Sequence, residues 1–287
     1  MIDAAKTLAE RIRIEFPELQ WEEYRYVDVG VDHEVIILDE QWVFRIPRNH
    51  ADDLSNEIGL LNYLADRVEA GIPVYQYVSN DQCLAGYPFL EGRELSREVF
   101  AGMTAADQQC AAEQLARFLT DFHGIPIDDV SAFNLPYEQK PAIDLKISLD
   151  VLSPIFGTSI TPAVTSFVDQ FNSEFDSDCP TVFLHGELNW EHIMWDESRG
   201  RVNSIDISAC VIGDPARDFA ELWSYGERFI QQVYQLYNGP KYSALLRRAA
   251  LIYKAMPINA LKYWVSADRE VPESSIGRFR DRWPELF

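Results

Sequence analysis

The apolar positions of this chain change rhythm along its length. Up to about residue 90 they come in short bursts. Tyr24 to Val29 alternates apolar and polar side chains, and Gly30 then allows a tight turn. Glu34 to Leu38 and Gln41 to Ile46 are two further strand-like runs around Asp39-Glu40, which predicts a hairpin. Pro47, lacking an N–H for the ladder, ends the second run. Asp52 to Glu69 carries Leu54, Ile58, Leu61, Leu64 and Val68 at helical spacing. Cys83 to Leu95 holds an apolar strand that runs into Tyr87-Pro88-Phe89-Leu90-Glu91-Gly92, the composition of a linker.

Beyond that linker the period lengthens. Asp107 to His123 places Ala111, Leu115, Phe118, Leu119 and Phe122 on one helix face, and Gly124 follows as a stop. His123 reads as a residue that caps or packs the end of this helix, where a cation is favoured. Ser153 to Cys179 holds another helix around Pro162 to Phe175, and Lys241 to Phe287 reads as helical, with Tyr253, Tyr263 and Trp264. Between them lie the short runs Thr181 to Leu184, Ile193 to Trp195 and Arg201 to Ile207. The last two flank a turn at Asp196 to Gly200 and predict a hairpin centred on Ser198 and Arg199. Asp214-Pro215 reads as an N-cap and first residue of a helix through Ala220, Leu222 and Trp223. The expected fold class is α+β, with a small β-rich lobe over residues 1–90 and a larger, mainly helical lobe over 91–287. No internal repeat or low-complexity segment interrupts it.

Composition narrows the class. Of 287 residues, 47% are apolar and 25% charged, ordinary for a soluble globular protein. No apolar run approaches the ~20 residues that span a membrane, and Met1 to Phe16 is amphipathic without a signal-peptide core. Cys83, Cys110, Cys179 and Cys210 are scattered, which suits buried free thiols in a reducing cytoplasm. A monomer with no membrane partner is expected. With 46 acidic and 25 basic side chains the formal charge is −21, which disfavours nucleic acid as a partner. Such a surface would steer a small polycation; solubility or a salt-adapted host would account for the same charge.

One segment carries chemistry. His185-Gly186-Glu187-Leu188-Asn189-Trp190-Glu191-His192 follows a buried strand, and Asp206 comes 14 residues after His192. The predicted hairpin brings His192 and Asp206 to neighbouring ends. Asp206 can offer a carboxylate to Mg²⁺, which prefers oxygen ligands, and His192 an imidazole. Glu187 stands where a carboxylate could accept a hydroxyl proton. A solvated acidic loop after a strand is the alternative on spacing alone. Upstream, Arg45 is a cation inside the apolar run Trp42 to Ile46 and must reach water or a partner. Glu57 on the following helix is available, or is a surface helix residue.

The segment resembles the catalytic loop of the aminoglycoside phosphotransferase family, usually HGDxxxxN followed by IDF or IDW. Ile205-Asp206 and Ile212-Gly213-Asp214-Pro215-Ala216-Arg217-Asp218-Phe219-Ala220, similar to the family's GDPxxDFA, extend the likeness. So does Leu119-Thr120-Asp121-Phe122-His123-Gly124. Histidine in place of the asparagine is found in the 2″-aminoglycoside and macrolide branch. The resemblance implies a two-lobed protein-kinase-like fold, Mg²⁺, and ATP or GTP as donor. It assigns Glu187 as catalytic base and His192 and Asp206 as metal ligands. Arg45 paired to Glu57 resembles the ion pair that holds the nucleotide's phosphates in kinase-like folds. Tyr87 takes the gatekeeper position, with the Pro88 carbonyl and the Leu90 N–H as purine contacts; a bulky gatekeeper goes with GTP use in some relatives. Asp214 reads as structural, and Asp218 as ordering the loop. Glu221 and Glu227, near Trp223 and Tyr225, are candidates to bind an amino-sugar, or belong to a half-exposed amphipathic helix.

The chain departs from the pattern in three places. Arg45 stands where lysine is usual, Gly30 is not part of a GxGxxG, and Glu187 replaces aspartate. The extra methylene adds roughly 1.5 Å of reach, and about 1 Å of misplacement can cost on the order of 10²-fold in rate. Phosphoryl transfer leans more on charge cancellation than on the base, so a slowed enzyme is expected rather than a dead one. The expected function is transfer of a γ-phosphate to a hydroxyl of a small cationic antibiotic, first an aminoglycoside, conferring antibiotic resistance. The alternatives are a macrolide phosphotransferase, a choline or homoserine kinase of the same fold, and a nucleotide-binding protein with little or no transferase activity because of Glu187.

Overall fold

The computed structural model describes residues 2–27, 33–49 and 53–287, without the side chains of residues 2–4. The expected strand end at Val29, the turn at Gly30 and the helix start at Asp52 lie outside the described residues. In chain order the elements are α1 (Ile2–Glu15), β1 (Tyr24–Val27), β2 (His33–Leu38), β3 (Trp42–Pro47), α2 (Ser55–Leu64), β4 (Tyr77–Val78), β5 (Ala85–Pro88), β6 (Arg93–Glu94), α3 (Arg97–Gly102), α4 (Ala105–His123) and α5 (Ile127–Val130). Then come α6 (Leu145–Phe156), α7 (Thr161–Phe175), β7 (Val182–Leu184), β8 (Ile193–Asp196), β9 (Arg201–Ser204), β10 (Val211–Gly213), α8 (Ala216–Ala220), α9 (Glu227–Leu236), α10 (Leu245–Ser266) and α11 (Glu273–Arg282). None of the described helices is long and apolar enough to cross a membrane.

The chain packs as two compact units. The first comprises Met1–Asp121, Asp128–Asn134 and Trp190–Ala209. Its five-stranded antiparallel sheet has the order β1-β2-β3-β5-β4. The hairpin β2–β3 turns where the sequence predicted, with Leu38 opposite Trp42. Asp39 (φ 49°) and Glu40 (φ 50°) take the left-handed conformation the turn needs. The Asp39 carboxylate accepts the N–H groups of Glu22 and Glu23 and so ties β1 to the turn. Leu8 and Ile12 of α1, with Phe16 just after it, pack on Ile36, Leu38, Phe44, Ile46 and Leu84. Gly86 is required beneath Phe44: a Cβ there would lie 2.5 Å from the ring.

In the same unit β8 and β9 pair with Ile193 opposite Ser204 and Asp196 opposite Arg201, the register the sequence implied, and β6 adds to β8. Gln114 of α4 clamps this hairpin. Its amide donates to the Gly200 carbonyl at 2.5 Å and accepts the Val202 N–H at 2.7 Å. Asn203 donates to the Glu91 carbonyl at 2.7 Å.

The second unit comprises Phe122–Ile127, Leu135–Asn189 and Cys210–Phe287 and is mainly helical. Its core gathers Val151 and Leu152 of α6, Phe167, Phe171 and Phe175 of α7, Leu251 and Leu261 of α10, Phe279 of α11, and Trp283. The two-stranded β7–β10 ladder sets Leu184 opposite Val211.

Four expectations need correction. The helix predicted over 52–69 is described only as Ser55–Leu64. The N–H groups of Arg67 and Val68 both reach the Leu64 carbonyl, so the chain tightens into a turn that still buries Val68. The strand predicted over 201–207 stops at Ser204, because Asp206 is left-handed at φ 59° and leads into a 3-10 turn, Ile207–Ala209. Helix α6 was not foreseen, since Pro154 reads as a breaker. Asp144 caps it by accepting the Ile147 N–H, and the helix runs through Pro154, which has no N–H to give to the ladder. Of the four thiols, all free, only Cys210 is buried.

Candidate functional site

In the first unit an arginine in an apolar strand has found its partners. Arg45 is only 7% exposed. Its Nη1 donates to Glu57 Oε1 at 2.9 Å, and its Nη2 donates to Asp206 Oδ1 at 3.2 Å. The same Nη2 lies 2.9 Å from His33 Nδ1. Burial works against the Arg45 charge, but Glu57, and after it Tyr75, Tyr87 and Asp206, outweigh it, and its pKa is raised. Glu57 Oε1 also accepts the Tyr75 hydroxyl at 2.7 Å. Losing one member of a buried pair of this kind costs about 3–5 kcal/mol, because the other charge stays buried and unpaired.

Asp206 owes its place to the hairpin. The Ile205 N–H donates to the His192 carbonyl at 3.0 Å, closing the open end of β8–β9. The left-handed Asp206 then turns its carboxylate toward His192, with Nε2 to Oδ2 at 3.5 Å. The Ser208 hydroxyl donates to its other oxygen at 2.6 Å. Burial would raise the Asp206 carboxyl, but Arg45, Ser208 and His192 hold it below the usual carboxylate range.

Strand β5 carries Tyr87 and Pro88, and Leu90 follows it. Tyr87 is buried, pairs with Val43 in the sheet, and meets Tyr75 edge-on at 5.5 Å. Burial pushes its phenol up to about 12. Pro88 pairs with Trp42, and the Phe89 N–H donates to the Gln41 carbonyl at 2.7 Å. The Leu90 N–H makes no hydrogen bond among the described residues.

In the second unit the buried strand β7 delivers His185, Gly186 and Glu187. Gly186 has φ 87°, a conformation glycine adopts without strain. Asp218, fully buried on α8, accepts the His185 N–H at 2.8 Å on one oxygen and the Gly186 N–H at 2.9 Å on the other. His123 Nε2 lies 3.2 Å from the same carboxylate, and its Nδ1 lies 2.8 Å from the Tyr237 hydroxyl. Burial would raise the Asp218 carboxyl, yet His123, His185 and the Gly186 N–H hold it low. Arg217 completes the clamp: Nε donates to the Gly186 carbonyl at 2.7 Å, and Nη1 to Glu138 at 2.6 Å. The Glu187 side chain is left exposed.

A match to the APH group, the phosphotransferase enzyme family, spans residues 23–251. The chain belongs to the APH phosphotransferase family. Among solved structures, the GDP complex of wild-type aminoglycoside 2'-phosphotransferase-IIIa superposes with a TM-score of 0.77 at 22% identity, covering 99% of each chain. The GDP and kanamycin complex of APH(2")-IIia gives 0.73 at 22% identity over 98% of this chain and 97% of that one. The apoenzyme of macrolide 2'-phosphotransferase MphH from Brachybacterium faecium gives 0.67 at 19%, over 97% of both. The fold of this APH-family chain is therefore that of these antibiotic phosphotransferases, and phosphotransfer as its activity class follows from the family match.

Two protein donors suit an ion held jointly by protein, phosphates and water, as Mg²⁺ commonly is. Among the described residues no three His, Cys, Asp or Glu converge on a common point; His192 and Asp206 are a pair that could hold such an ion. The two acceptor candidates sit differently. Glu221 receives both of its oxygens' hydrogen bonds from Arg282 Nη2, at 3.1 Å each, and Arg282 lies over Tyr253 at 3.8 Å. Glu227 is exposed in the first turn of α9 and accepts from Gln231.

Sequence reading missed His33, Tyr75, Glu138 and the role of Arg217. Arg217 lies inside the quoted Asp-Pro-Ala-Arg-Asp-Phe stretch, and an arginine one residue before a loop-ordering aspartate was the available signal. His33, Tyr75 and Glu138 carried none, because their partners are remote in sequence. Asp214 is structural as expected: it accepts the Ala216 N–H at 2.9 Å and the Tyr242 hydroxyl at 2.6 Å, and pairs with Arg248.

Proposed function

We propose that the protein moves the γ-phosphate of ATP or GTP onto a hydroxyl of a small cationic antibiotic, an aminoglycoside. The observation that carries the reading is the convergence of Arg45 on Asp206, at 3.2 Å, beside His192. A fixed cation next to a carboxylate–imidazole pair is what cancelling phosphate charge requires. In this reading Arg45, set by Glu57, holds the nucleotide's phosphates. Tyr87, the Pro88 carbonyl and the Leu90 N–H receive the purine. His192 and Asp206 hold Mg²⁺, which when bound offsets the charge on the phosphates. Glu187 orients the acceptor hydroxyl and takes its proton. Kanamycin bound to a protein of the same fold supports the aminoglycoside class, and Glu221 and Glu227 are the proposed contacts to it. The lobe division proposed for this chemistry runs 1–90 and 91–287, with the hinge at 87–92.

A second reading, a macrolide acceptor, is favoured by where the charge lies. The second unit holds 17 acidic and 13 basic side chains, against 29 and 12 in the first. A nearly balanced helical unit whose Glu221 is occupied by Arg282 suits an acceptor with one amine and a large apolar surface. The test is nucleotide consumption with ATP and GTP against aminoglycosides and macrolides, with mass spectrometry of the products. A gain of one phosphate in the aminoglycoside arm supports the first reading, and in the macrolide arm the second. Nucleotide binding without product from any acceptor would leave a binding protein without transferase activity.

A further inference from the structure

Arginine at position 45 brings a steric and electronic requirement that lysine would not. A lysine ammonium is a point charge whose three donors rotate freely, whereas guanidinium is a planar fork whose arms act together. Glu57 fixes one arm of the Arg45 fork through Nη1. The other arm, Nη2, meets His33 Nδ1 at 2.9 Å as well as Asp206. Guanidinium has no acceptor atom, so His33 Nδ1 accepts, and the ring is the neutral tautomer with its proton on Nε2. That nitrogen lies 3.8 Å from Glu57 Oε2.

The contact is built into the sheet. Val35 stands opposite Arg45 in the β2–β3 ladder, and His33 is two residues before Val35. Residues two apart on a strand share a face, so His33 is the diagonal cross-strand neighbour of Arg45. Its side chain is 13% exposed and that of Arg45 is 8% exposed, which places both ends of the hydrogen bond out of bulk water.

We propose that His33 is the positioning residue for Arg45: it fixes the plane of the guanidinium in which the nucleotide's phosphates are met, and it is what makes arginine usable where lysine is usual. The inference rests on the reading of Arg45 as the phosphate cation. His33 and Arg45 then act as a unit, and the value of His33 depends on which cation stands at position 45.

A double-mutant cycle tests this. Dissociation constants for Mg²⁺·GDP and Mg²⁺·ADP are measured by calorimetric titration of the full chain and of H33A, H33Q, R45K, R45A and H33A/R45K, with melting temperatures alongside. Loss of one buried hydrogen bond to a charged group predicts roughly 10- to 100-fold weaker nucleotide binding in H33A. H33Q, which keeps an acceptor, recovers most of it, and adding H33A to R45K changes binding by less than about 2-fold. Equal losses in the arginine and lysine backgrounds overturn the proposal, because His33 would then act without Arg45. So does unchanged binding in H33A while R45A binds poorly. Should R45A bind nucleotide as well as the native chain, the phosphate-cation reading itself fails and this inference with it. If H33A lowers the melting temperature, H33Q decides: recovery of the melting temperature without recovery of nucleotide affinity sinks the positioning role.

Discussion

Arg217 donates through Nε to the Gly186 carbonyl at 2.7 Å, one peptide before Glu187. Asp218, the next residue on the same helix, takes the N–H of that glycine at 2.9 Å. Gly186 is thus held from both sides by adjacent charged side chains of opposite sign, and Glu138 holds Arg217 in turn. Arg217→Ala releases the carbonyl while leaving the Asp218 bonds in place. A shift of about 1 Å at Glu187, the proposed base, predicts a fall in kcat on the order of 10- to 100-fold. Nucleotide affinity should not change, and steady-state rates read against nucleotide titration separate the two. A matched loss of nucleotide binding would contradict a role confined to the loop.

Asp218 is buried and accepts two backbone N–H groups as well as facing His123. Asp218→Asn leaves one acceptor oxygen for these donors and is expected to cost about 2–4 kcal/mol in unfolding free energy by urea titration. The same residue makes an acid-sensitivity prediction. Its folded pKa lies below the ordinary aspartate value of ~3.9. Below that value the unfolded chain binds the proton first, so its contribution is full above ~pH 4 and is lost as pH falls toward the folded pKa. Native protein should therefore show a steeper loss of stability in that acid window than Asp218→Asn. Parallel slopes would mean that the carboxylate is not held low.

Glu187 is exposed at the end of the clamped loop. Glu187→Gln removes the proposed proton acceptor and should lower kcat by about 10²-fold with nucleotide binding intact. Glu187→Asp shortens the reach and should raise turnover with the true acceptor. Lower turnover in Glu187→Asp would show that the loop has adapted to glutamate.

Gly86 sits under Phe44 in the central strands of the sheet that carries Arg45. Gly86→Ala sets a methyl carbon 2.5 Å from the ring. Overpacking of this kind costs about 1–3 kcal/mol. A lower melting temperature, with the Arg217 and Glu187 effects on kcat unaltered, is the expected result; an unchanged melting temperature would mean Phe44 can move aside.

The sequence by itself determined the β8–β9 hairpin and the adjacency of His192 and Asp206, because strand period and turn composition are local. It also required that Arg45, a cation in an apolar strand, reach water or a partner. Only the tertiary structure decided that Asp206 leaves the strand in a left-handed turn, that His33 shares Arg45 with Glu57, and that Arg217 and Asp218 hold the carbonyl and the N–H of Gly186. These pairings join residues 12 to 161 positions apart. Such partners are chosen by packing and by the need to satisfy every buried donor, and neither leaves a periodic trace along the chain.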